Sequence, residues 1–165
     1  MKIIGIVFIF CSLSAAGIAV GENYISVLRS IKRAEIFLNT LLIGLENGRL
    51  SVMEMLKNAS FSYDEETKAF ADMLEANFKS EGGNIKRESI LKSDFCKDKI
   101  ASLSLLEAVD ILGKCSAEEQ IEKIKFCREN IRKRYDAAFI LYNQKAKLSR
   151  SSGMLAGLLA AVILI

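Results

Sequence analysis

Three adjacent carboxylates, Asp64, Glu65 and Glu66, form the one run in this chain whose types and spacing could supply a general acid and a general base. They follow Ser62 at a predicted helix start, where the helix dipole favours negative charge by about 0.3–1 kcal/mol, and the sequence favours that local role. The chain has no His, which removes the commonest general base, the commonest metal ligand and the usual partner of a Ser or Cys nucleophile. Catalytic triads and His-containing zinc sites are thereby excluded. The four cysteines, Cys11, Cys96, Cys115 and Cys127, contain no CxxC pair. With Cys11 inside an apolar run, three remain, an odd number that suits neither a disulfide framework nor zinc. Reduced thiols serving as small core residues are expected, in a cytosolic compartment. Gly82 and Gly83 lack the GxGxxG or GxxxxGK[ST] context of a phosphate cradle. No metal, cofactor or nucleotide is expected, and a non-catalytic protein is.

The elements that carry these residues are organised by charge. Residues 3–21 and 151–165 contain no Asp, Glu, Lys or Arg, whereas residues 22–150 hold all 20 acids and 22 of the 23 basic side chains. With a net charge of only +2, that middle segment lacks the basic excess that nucleic acid demands. Three parts follow: an N-terminal transmembrane anchor at 1–21, a cytosolic helical bundle at 22–150 and a C-terminal transmembrane segment at 151–165. Nineteen uncharged residues span about 29 Å as a helix, enough to cross a hydrocarbon core of about 30 Å. The 15 residues at the other end reach only about 22 Å. Lys145, Lys147 and Arg150 are placed to make up the difference by snorkelling to lipid headgroups. Gly17 with Gly21 and Gly153 with Gly157 give each run the small-xxx-small spacing that lets membrane helices approach closely. Nine Lys and Arg residues of the middle segment lie within 20 positions of the apolar ends, against Lys2 on the far side, which puts the middle in the cytosol. The alternative is an exported, membrane-associated helical protein, its signal peptide cleaved after Ser14 and Ala16. The apolar stretch runs on through Ile18, Ala19 and Val20, which favours a retained anchor.

Between the ends the fold class reads as all-α. Val27, Ile31, Ala34, Leu38, Leu41 and Leu45 step by fours and threes, the seam of a helix packed along its length, with Gly48 placed to stop it. Ser116 and Glu119 form a capping box ahead of a second seam through Ile121, Ile124, Cys127, Ile131, Tyr135, Ala138 and Tyr142. These two long helices are expected to pack antiparallel and to continue into the membrane segments. Shorter helices are expected from about Ser51 to Ala59 with a Ser51–Glu54 capping box, from about Asp64 to Ser80, and as one or two pieces from about Lys86 to Leu112, punctuated by Gly82, Gly83 and Gly113. The run Arg132, Lys133, Arg134 precedes Arg150 by 16 to 18 residues, about 25 Å of helix, too far to touch headgroups. It is expected to be a solvated or partner-binding face.

The last third also carries a motif. A Leu112–Gly113 pair precedes a helix bearing Gln120, and the tail reads Lys-x-x-Arg-Ser-x-Gly-x-Leu-x-Gly-Leu-Leu at Lys147, Arg150, Ser151, Gly153, Leu155, Gly157, Leu158 and Leu159. This resembles the stage III sporulation protein AB family of endospore-forming bacteria, with Ser149 and Ser152 standing where that family usually has Tyr and Leu. The resemblance implies a non-catalytic membrane platform in a secretion-like channel between mother cell and forespore. Its helical domain would be similar to that of type II secretion and type IV pilus inner-membrane platform proteins. It implies placement in the outer forespore membrane with the soluble domain in the mother-cell cytosol, and as partners a companion sporulation ATPase (protein AA) and other channel components. A homo-oligomer is compatible with that layout.

Overall fold

The structure, a computed structural model, describes residues 2–48, 50–61, 64–80 and 87–164. Six helices follow one another: α1 (Lys2–Gly48), α2 (Val52–Ser60), α3 (Glu65–Ser80), α4 (Arg87–Lys92), α5 (Lys99–Asp110) and α6 (Ala117–Leu164), with no strand among the described residues. The all-α expectation holds. Each long helix is continuous, as a chain without proline permits. The stretch after α3 resolves into two short helices, α4 and α5. Ser62, Lys86 and the predicted punctuation at Gly82 and Gly83 lie outside the described residues.

The chain forms two compact units, one of Met1–Leu28 with Ala137–Ile165 and one of Arg29–Asp136. Helices α1 and α6 contribute to both. In the first, the paired-helix unit, they run antiparallel: Gly17 meets Gly153, Gly21 meets Ala146 and Arg150, and Gly157 meets Phe10. The outer surface of this unit is apolar, with Phe8, Val20, Leu155 and Val162 all at least half exposed.

The second, the bundle unit, has an ordinary hydrophobic core. Ile31, Ala34, Leu38 and Leu41 of the first predicted seam are completely buried, and so are Ile124, Cys127 and Ile131 of the second. At about 1.5–3 kcal/mol for each large apolar side chain removed from water, these faces hold the bundle together. The seams are narrower and shorter than the spacing predicts, since Val27, Leu45, Ile121, Tyr135 and Tyr142 are only partly covered. Phe37 and Leu42 widen the buried face of α1 instead. Phe37 stands edge-on to Phe70 and Phe95 at 5.2 and 5.7 Å, while those two rings stack at 4.0 Å, tying α1, α3 and the loop before α5 together.

Local signals set the helix ends. In the Ser51–Glu54 capping box the Glu54 amide donates to Ser51 Oγ at 3.3 Å and the Ser51 amide to Glu54 Oε2 at 2.9 Å. Ser116 and Glu119 repeat the exchange at 3.3 Å each way. Gly113, at φ 74°, turns the chain between α5 and α6 in the left-handed region that suits glycine. The buried Gln120 side chain fastens that turn, accepting from the Gly113 amide at 3.3 Å and donating to the Cys115 carbonyl at 2.8 Å.

Two charged runs differ from the sequence reading. Asp64 and Glu66 do not merely complement a helix dipole: Arg33 of α1 binds Asp64 Oδ2 at 2.6 Å and also pairs with Glu66, with its guanidinium 5.8 Å from the Phe95 ring centre. The run at 132–134 is not one solvated face. Arg132 and Lys133 are exposed, but Arg134 turns inward to Asp98, because helical geometry places consecutive residues about 100° apart. Since Arg33 joins α1 to the start of α3 through two carboxylates, Arg33→Ala should lower unfolding stability by about 1–2 kcal/mol in urea titration, the exposure of its partners limiting the loss. Arg33→Lys should recover little, because an ammonium lacks the fork that reaches two carboxylates. Full recovery would contradict the assignment.

Candidate functional site

Two of the carboxylates that could do chemistry, Asp64 and Glu66, have structural partners. Asp64 also accepts from Thr67 Oγ1 at 2.9 Å, so the acidic run serves as helix start and ion-pair partner together. Among the described residues no group of three or more His, Cys, Asp or Glu is placed to hold a metal ion. All four cysteines are free thiols: Cys96 and Cys127 are buried, Cys115 is partly covered and Cys11 is exposed. Burial pushes the Cys96 thiol up to about 11, a rise only partly offset by its bond to the Asp98 carbonyl. Burial likewise raises Cys127 to about 11, with Glu107 adding to it. Nucleophilic use of either at neutral pH is thereby suppressed. Alkylation at about pH 7.5 should therefore modify Cys115 in the folded protein and reach Cys96 and Cys127 only after urea is added. Rapid labelling of Cys96 in the native state would contradict this burial.

A concavity of about 450 Å³ opens between α3 and the loop ahead of α5. Its floor is the Phe70–Phe95 stack and its rim carries Glu66, Asp94 and Lys97.

The paired-helix unit holds the residues that the sequence singled out. A β-carbon on Gly17 would lie 2.8 Å from Gly153 Cα, and one on Gly21 would lie 3.1 Å from the Ala146 carbonyl. One on Gly157 would lie 2.9 Å from the Phe10 ring. All four glycines therefore sit at the α1–α6 contact, where the absence of side chains lets the backbones touch. Ser149 Oγ donates to the Gly17 carbonyl at 3.1 Å across the same contact. One turn further, Arg150 pairs with Glu22 at 2.5 Å. Lys145 lies 5.9 Å over the Tyr24 ring, which in turn is 6.0 Å from Tyr142. Lys147 is exposed. Of the three cations expected at headgroups, two thus have partners within the pair. Glu22 as the partner of Arg150 was missed, although it is the first charge after the apolar run and could have been read as such.

Among the described residues one helix, α1, is long and apolar enough to cross a membrane, with a window of mean hydropathy 1.8 inside Gly5–Asn47. Only 6 % of that window is buried, so it is not the covered core helix of a globule. The tail motif divides by face: Gly153 and Gly157 point to α1, and Ser151, Leu155, Leu158 and Leu159 point outward.

Compared with known families, the chain matches the model of stage III sporulation protein AB over residues 2–165. It belongs to that family. No curated protein and no solved structure matches it. The family is one of sporulation proteins, and the match covers the paired-helix unit and the bundle unit of this chain alike.

Proposed function

We propose that this protein is a non-catalytic membrane platform in the channel that joins mother cell and forespore, docking a cytosolic ATPase. The observation that carries the reading is the family match over residues 2–165, in a chain whose apolar, outward-facing paired-helix unit is distinct from its charged bundle. The paired-helix unit anchors the protein in the outer forespore membrane, both of its helices entering the bilayer. The bundle unit faces the mother-cell cytosol and receives the companion ATPase, protein AA, as platform proteins of type II secretion receive theirs. Catalysis has no place in this reading, since the one acidic cluster is held by Arg33 and two of the thiols are buried.

Deleting the gene should block sporulation after engulfment and leave vegetative growth intact, and a normal spore yield would sink the proposal. Topology is tested with a cysteine at the exposed Lys133, since Cys96 and Cys127 are buried. Labelling of Lys133→Cys from outside intact cells would overturn the cytosolic placement. N-terminal sequencing separates the exported alternative, which requires a mature chain starting at Gly17.

A further inference from the structure

We infer that Tyr24, Tyr142 and Lys145 form a seat for the phosphate of an anionic phospholipid, at the edge of the membrane-embedded part of the paired-helix unit. The Tyr24 ring of α1 lies 6.0 Å from the Tyr142 ring of α6, and the Lys145 ammonium stands 5.9 Å over Tyr24. Lys145 is exposed and both rings are half-buried. Among the described residues no carboxylate pairs with Lys145, and neither phenol hydroxyl has a hydrogen-bond partner. An ammonium and two hydroxyls, gathered from two helices, are left with protons to donate, and phosphate oxygens accept such bonds.

The missing counter-charge sets Lys145 apart. Arg33, Lys125, Arg134 and Arg150, which reach across to another helix or loop, each meet a carboxylate. Glu22 is the one acidic residue of the paired-helix unit, and Arg150 takes it. Lys145 and Arg150 are five residues apart, about 140° around α6, and both meet α1. They therefore flank the helix contact on opposite sides, with Glu22 on the Arg150 side.

Depth in the bilayer makes the occupant a lipid. Gly21, where the charge-free run ends, meets Ala146 and Arg150. Tyr24 lies three residues further on, about 4.5 Å along the helix, and the headgroup layer is about 5–7 Å thick on each face of a bilayer. Tyrosine, with its apolar body and polar tip, favours that layer. Lys145 carries the charge that selects an anionic headgroup over a zwitterionic one, and the Tyr24 ring restrains it, so that less freedom is lost on binding. Lys147 is equally exposed but has no ring beside it among the described residues. The inference rests on the membrane reading of the paired-helix unit.

Native mass spectrometry of the full chain in detergent, titrated with phosphatidylglycerol or with phosphatidylcholine, tests it. The unaltered chain should hold phosphatidylglycerol several-fold more tightly than phosphatidylcholine. Lys145→Gln should weaken phosphatidylglycerol binding about fivefold, whereas Lys147→Gln, which removes the same charge away from the seat, should change it by less than about twofold. Tyr24→Phe combined with Tyr142→Phe keeps every charge and should still weaken binding, because the hydroxyls are gone. Equal affinity for the two lipids, equal losses from Lys145→Gln and Lys147→Gln, or no loss from the double phenylalanine variant would each overturn the seat. Displacement of the lipid by millimolar inorganic phosphate would overturn it in favour of a soluble anion. The anchor is judged separately in alkali-washed membranes. A chain that stays there but gives one of those results has lost the seat alone, and a chain that washes out has lost the anchor and the seat with it.

Discussion

Gly153→Val should force α1 and α6 apart in the paired-helix unit and abolish complementation of the sporulation defect. A β-carbon at Gly153 would lie 2.8 Å from Gly17 Cα and 3.0 Å from the Leu13 carbonyl oxygen. Both are backbone atoms, so no side-chain rotation relieves the contact, and the helices must separate. The separation also breaks the bond from Ser149 Oγ to the Gly17 carbonyl. Overpacking of this kind costs about 1–3 kcal/mol for each added group, and with two methyls beyond the β-carbon the valine variant falls at or above the top of that range. Gly153→Ala and Gly17→Ala should show the same effect in smaller measure. Gly5→Val is the matched control, since nothing lies within 4 Å of a β-carbon there. Thermal unfolding in detergent reads the difference, and equal melting of Gly153→Val and Gly5→Val would refute the close contact.

The second large effect is expected at Asp98. Its carboxylate is buried, accepts from the Ile100 and Ala101 amides at 3.1 and 3.0 Å as the cap of α5, and receives Arg134 at 2.7–3.1 Å through Nε and Nη2. Asp98→Ala removes the cap and breaks the ion pair with Arg134 together. Arg134 is partly exposed and can rehydrate, so the loss should be about 2–4 kcal/mol, below the sum for a fully buried pair and a cap. Asp98→Asn keeps the side-chain acceptor for the cap and should lose less.

Acid titration offers an independent check on the same group. Burial by itself would raise the Asp98 carboxyl, but the Arg134 hydrogen bonds and charge, with the Ala101 and Ile100 amides, hold it below its ordinary value. A carboxyl depressed in the folded state contributes stability that is complete above the unfolded value of about 3.9 and is lost as pH falls from there through the lowered folded value. Urea midpoints measured from neutrality down to that range should fall more steeply for the native chain than for Asp98→Asn. Parallel curves would remove Asp98 from the account.

Much of this was legible in the residues. Ser51 with Glu54 and Ser116 with Glu119 cap helices because both partners of each bond lie three residues apart, within reach of a local pattern. Gly17, Gly21, Gly153 and Gly157 could be named because their spacing repeats at helical period, although the facing of Gly17 to Gly153 needed the register of two helices 136 positions apart in the chain. Arg134 was misplaced for the opposite reason. It stands in a run of three cations, and neighbours in sequence do not share a face of a helix.

Sequence periodicity and charge by themselves determined that the chain is all-helical, that its ends are apolar and its middle charged, and where most helices start and stop. Those properties depend on residues within a turn or two of each other. Only the tertiary structure decided that Arg33 meets Asp64 and Glu66, that Arg134 meets Asp98 across 36 residues, and that Glu22 meets Arg150 across 128. Such pairs depend on the path of the chain through the turns between helices, where a change of one residue rotates the following helix by about 100° and brings a different side chain to the contact.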